Sequence, residues 1–146
     1  PLVAERMLAS LRLHGSKSSW VVHGGGLDEL TTTGPSTVLE LRGGQVRTFT
    51  VEPVSLGLAP AISEELVGGT PAFNADVVRR VMAGEQGAHR NIVVLNAGAG
   101  LVVADVASSL EEGVAMAAES IDSGRAESTL AKLISESQAA LAEFGA

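Results

Sequence analysis

Val3, Met7 and Leu11 recur at helical spacing with Leu8 beside them, which predicts an amphipathic helix over about 2–13, stopped near Gly15. The pattern then changes period. Trp20 to Gly24, WVVHG, is short, β-branched and closed by glycine, as a buried strand at a sheet's carboxyl edge would be. STVLEL (36–41) and QVRTFTVEP (45–53) alternate roughly around Arg42-Gly43-Gly44, and this predicts a hairpin. From Val54 to Thr70, Pro53, Gly57, Pro60 and Gly68-Gly69 break any pattern, leaving a loop with one helical turn over 63–66.

Helical spacing returns over 72–83, with Phe73, Val77, Val78 and Val81 on one side and Arg79-Arg80 toward water. NIVVLNAGAGLVVADVA (91–107) fits a buried strand or a buried helix by periodicity, and its length and small residues favour the helix. Gly98 and Gly100 in it read as close helix contacts. Ser109 and Glu112 form an S-x-x-E capping box for a helix ending near Gly124, with Gly113 its only interruption, and a last helix spans about 126–144. No repeat or linker divides the 146 residues, so one domain is expected.

Composition narrows the function classes. Lys plus Arg is 10 against 17 Asp plus Glu, a formal charge of −7 with scattered basic residues. Phosphate-tracking contact with nucleic acid needs clustered cations, so that mode is disfavoured. With no cysteine, disulfides, thiolate metal sites and a cysteine nucleophile are excluded, and a cytoplasmic location is the expectation. No apolar run is long enough to span a membrane, and Glu5 and Arg6 interrupt any secretory signal at the start. A first residue of Pro1 rather than Met points to a processed chain, an engineered form or a fragment.

The strongest candidate for chemistry is HGGGLDELTTTG (23–34), where three glycines precede the adjacent carboxylates Asp28 and Glu29. Two carboxylates at a glycine-rich strand end suit Mg²⁺ when phosphate oxygens and water complete its shell. The same pair also suits a solvated turn or a helix start. Gly24-Gly25-Gly26 could bring backbone N–H groups to a phosphate but matches no established phosphate loop. His14, His23 and His89 have no metal-ligand spacing, and structural or solvated roles fit them best, although His23 could touch a substrate. Asn96, polar within an apolar run, is expected to bond backbone and fix helix packing.

VVHG-x-x-G-L-D-E-L, then EP-x-x-x-G-L, L-x-GG…NA, VLNA, SLEEG and IDSG-x-A follow one another in an order that resembles the carboxyl-terminal half of the anthranilate phosphoribosyltransferase family. The resemblance covers about residues 1–136. It implies an α/β class: part of the large domain of the nucleoside phosphorylase/phosphoribosyltransferase fold, with a short mixed sheet, a hairpin and packed helices. It further implies transfer of phosphoribosyl from phosphoribosyl pyrophosphate to anthranilate in tryptophan biosynthesis, Mg²⁺ on Asp28 and Glu29, and a homodimeric parent. No residue of this stretch is assigned a catalytic role.

The family's G-T-G-G-D, N-x-S-T and K-H-G-N segments do not occur in this sequence. Leu13-His14-Gly15-Ser16-Lys17 and Gly68-Gly69-Thr70 are only superficially like them. The expectation is therefore half an enzyme, inactive alone, whose amino-terminal half carries the pyrophosphate cradle and the small helical domain. Two alternatives stay open on the residues: a pyrimidine nucleoside phosphorylase, and a non-enzymatic nucleic-acid-binding relative.

Overall fold

The computed structural model describes residues 2–144. The elements run α1 (Leu2–Leu13), β1 (Ser18–Gly24), β2 (Ser36–Arg42), β3 (Gln45–Val51), two 3-10 turns (Pro53–Leu56 and Ser63–Leu66), α2 (Pro71–Met82), α3 (Ala88–Val103), α4 (Leu110–Asp122) and α5 (Arg125–Phe144). The α/β class holds. The described sheet has the order β1-β2-β3 and is antiparallel throughout rather than mixed. The physical reason lies in the connections: neither the loop from β1 to β2 nor the turn from β2 to β3 holds the long crossover that a parallel neighbour requires.

The hairpin forms as expected, because Gly43 (φ 55°) and Gly44 (φ 80°) supply the two left-handed positions of a two-residue turn. One face of the sheet carries Val38 and packs with Trp20, Val22 and Phe49 against a core of Leu30, Val94, Leu95, Val114 and Ile121. Trp20 and Phe49 meet edge to face at 5.3 Å.

α3 and α4 form the tightest helix pair. A Cβ added to Gly98 would sit 2.6 Å from the backbone nitrogen of Val114, and one added to Gly113 would run into the Gly98 carbonyl. Gly113, which interrupts the sequence pattern, is thus the partner of Gly98 across the helix contact. Gly100 is not a contact position, since its missing Cβ points into open space. α3 ends at Val103, earlier than the apolar run suggests, where Arg42 donates to the Val102 carbonyl (2.8 Å) and pairs with Asp105 in a left-handed turn (φ 56°).

Two predicted apolar faces stand largely in the open. On α1 Leu8 is buried, while Val3 and Met7 are exposed. With Leu11, Val21, Leu39 and Thr48 they line a groove of about 830 Å³ between α1 and the second face of the sheet. On α2, Val81 is buried but Phe73 and Val78 are exposed. β1, expected to be buried, is an edge strand and only half-buried along most of its length.

Candidate functional site

The glycines of HGGG are held to their type by packing or by backbone conformation. A Cβ on Gly24 would collide with Ser36 Oγ and come within 2.8 Å of Thr31 Cγ2, and Gly25 and Gly26 turn the chain at φ 57° and 86°. Gly24 and Gly25 approach the hydroxyl residues that follow and Gly26 is set by its positive φ alone, so the structure explains these glycines without a phosphate. Leu27 then bonds back to Gly24, its N–H donating to the Gly24 carbonyl at 2.8 Å.

Asp28 and Glu29 come next, in a bend rather than at a helix start, and both side chains are exposed. Neither carboxylate has a hydrogen-bond or ion-pair partner among the described residues. Immediately after them the chain is buried and fixed. Leu30 is fully buried, and Asn96 on α3 brackets its peptide: Asn96 Oδ1 accepts from Leu30 N–H at 3.0 Å, and Nδ2 donates to the Leu30 carbonyl at 2.8 Å. Thr31 N–H donates to Ser36 Oγ at 3.0 Å, and Ala61 N–H donates to the Thr32 carbonyl at 3.0 Å. The two carboxylates are therefore the free, negatively charged crest of an otherwise pinned loop.

That donor set fits a hard divalent cation with most of its shell left for other oxygens. Among the described residues no group of three or more metal-binding side chains occurs, so the pair could serve as an open Mg²⁺ site but not as a closed cage. His23 is exposed on β1 and lines the α1 groove together with Asp28. His14 lies exposed after α1, and His89 is half-buried in the first turn of α3; neither completes a three-ligand group with the acidic pair among the described residues.

Sequence reasoning placed Asn96 correctly as a backbone-bonding residue but missed its partner, because a contact across 66 residues leaves no local trace. It also missed a buried charge. Glu40 is 1% exposed and accepts from Trp20 Nε1 (2.9 Å), Arg42 Nε (3.3 Å) and Arg47. Burial pulls its carboxyl pKa upward, but the bonds from Arg47, Trp20 and Arg42 outweigh that, and the net position is below the ordinary carboxylate value. The signal was present in the strand alternation: the inward position that Val38 takes is occupied two residues later by Glu40, directly across from Trp20 and Arg47.

The family model described as "Glycosyl transferase family, a/b domain" matches residues 2–127. The chain belongs to this family. It is 55% identical over 126 residues to the anthranilate phosphoribosyltransferase of Parvibaculum lavamentivorans, covering 86% of this chain and 37% of that protein. Against the Caulobacter vibrioides enzyme of the same name the identity is 49%, with 92% and 39% covered.

Among solved structures, the anthranilate phosphoribosyltransferase of Thermus thermophilus superposes with a TM-score of 0.84 at 38% identity, over 92% of this chain and 40% of that one. The Saccharomyces cerevisiae enzyme in complex with PRPP and Mg gives 0.76 at 25% identity, over 86% and 37%. The chain thus spans about two-fifths of the length of the relatives it matches.

Proposed function

We propose that this chain is the carboxyl-terminal part of the α/β domain of an anthranilate phosphoribosyltransferase, in which Asp28 and Glu29 hold the Mg²⁺ that accompanies phosphoribosyl pyrophosphate. The observation that carries the site assignment is the pair itself: two adjacent, exposed carboxylates, without a partner among the described residues, between the fixed residues Leu27 and Leu30. The relatives named anthranilate phosphoribosyltransferase, one of them solved with PRPP and Mg, support the reaction and the metal. Neither nucleic-acid binding nor nucleoside phosphorolysis has comparable support.

In the full-length protein the phosphoribosyl group passes from pyrophosphate to the anthranilate amine. Mg²⁺ held at this loop would supply charge neutralisation for the departing pyrophosphate. Asp28 and Glu29 contribute anionic oxygen ligands and a fixed position, a role that is electrostatic rather than acid–base. The remainder of the longer chain would supply the pyrophosphate cradle, the small helical domain and the dimer contact.

Replacing the pair by Asn and Gln in the full-length protein keeps the shape and removes two negative charges. Transition-state stabilisation should fall by several kcal/mol, on the order expected for lost metal charge neutralisation, and raised magnesium should restore part of the rate. Folding should hardly change, since exposed groups without partners have little native interaction to lose. An unchanged rate with unchanged magnesium dependence would reject the assignment.

A further inference from the structure

Asn96 makes three hydrogen bonds. Two clasp the Leu30 peptide, and the third runs from Nδ2 to the Ile92 carbonyl at 3.0 Å, one turn earlier on α3. The clasp satisfies both backbone polar groups of Leu30, a residue outside every strand, in the way an adjacent antiparallel strand would. The bond to Ile92 ties the side chain to its own helix, so the clasp is anchored to the element packed most tightly in the core. On the other side of the acidic pair, Leu27 is fixed to the end of β1. Asp28 and Glu29 therefore lie between two anchors, Leu27 bonded to the end of β1 and Asn96 on α3.

We infer that Asn96 is a positioning residue for the metal-binding pair: its carboxamide fixes the Leu30 peptide and with it the placement of the Asp28 and Glu29 carboxylates. The inference rests on the magnesium reading proposed above. A ligand pair holds its cation well only when the groups behind it keep it in register, and such supporting groups commonly change metal affinity when removed. Losing Asn96 would act locally, because Thr31 and Thr32 keep their own anchors on Ser36 and Ala61.

The test uses the full-length protein with Asn96→Ala, Asn96→Gln, the core variant Val94→Ala, and Asp28→Asn combined with Glu29→Gln. Two quantities are read without turnover: the magnesium concentration that half-saturates binding of phosphoribosyl pyrophosphate, by calorimetry, and the hydrogen-exchange rate of the Leu30 amide. Asn96→Ala should raise the half-saturating magnesium on the order of tenfold and speed Leu30 exchange. Val94→Ala, which loosens the same helix and core but removes no hydrogen bond to Leu30, should leave the magnesium value far less changed than Asn96→Ala does. Asn96→Gln keeps the amide but displaces it by a methylene; it should shift the magnesium value in the same direction and serves as the readout if Asn96→Ala does not fold. Wild-type magnesium dependence in the folded Asn96 variants, alongside a shift in the carboxylate double variant, would overturn the positioning role alone. Wild-type dependence in the double variant as well would overturn the magnesium reading and this inference together.

Discussion

Glu40→Gln isolates what the buried charge beneath the sheet contributes. The carboxylate is nearly inaccessible, yet its two arginine partners are not: the side chains of Arg42 and Arg47 are 41% and 68% exposed. Removing one member of a fully buried pair typically costs about 3–5 kcal/mol, because the other charge is stranded. Here both guanidinium groups can turn to water, so the cost is smaller, about 2 kcal/mol, the size of one or two charge-assisted hydrogen bonds. Gln also presents an NH₂ where donors already converge, which prevents it from restoring the network.

The assay is urea unfolding followed by fluorescence of Trp20, the only tryptophan and itself a donor to Glu40. The pH dependence fixes the interpretation. The folded carboxyl titrates below its ordinary value of 4.5, so its stabilisation is complete above the unfolded pKa and lost as pH falls through the folded one. The gap between wild type and Glu40→Gln should be full at pH 7 and narrow progressively below about pH 4.5. A negligible gap at pH 7, or one unchanged down to pH 3, would refute the reasoning.

The contact between α3 and α4 predicts opposite outcomes for two glycines on one helix face or its partner. Gly113→Ala must push the helices apart at the Gly98 carbonyl and should cost about 1–3 kcal/mol in the same unfolding assay, as overpacked cores do. Gly100→Ala meets nothing and should be neutral or stabilising by up to about 1 kcal/mol; equal effects would contradict the packing. The groove between α1 and the sheet predicts that the 146-residue chain alone binds a hydrophobic dye and self-associates, and that Met7→Glu reduces both. Sedimentation as a dye-silent monomer would count against an open apolar face.

Much of the fold was legible because its signals are local. Capping by Ser109 and the two-glycine hairpin are decided within a few residues, and the predicted element bounds fall close to the observed ones. The exposed stripes on α1 and α2 show the limit of that logic: spacing reveals which side of a helix is apolar, but not what lies against it. Asp28 and Glu29 were legible as a pair. The pinning of their loop was not, since Asn96, Ser36 and Ala61 reach it from three separate parts of the chain.

The distribution of polar groups around that loop bears on how a chain of net charge −7 holds two of its carboxylates side by side. Adjacent like charges repel, and a mobile turn would let them diverge into water. Here the residues before and after them are pinned, and two polar groups of the loop are occupied from within it, Ser36 Oγ by Thr31 N–H and Thr31 Oγ1 by Thr33 N–H at 3.1 Å, while the buried Thr32 hydroxyl has no partner among the described residues. With no cationic side chain bonded to either carboxylate among the described residues, the loop keeps its anionic oxygens available. A fixed pair of free carboxylates favours a small, hard cation over a flexible lysine or arginine, because the ordering cost has already been met when the chain folds. The same economy makes the loop's rigidity, rather than its acidity alone, the property on which cation affinity should depend.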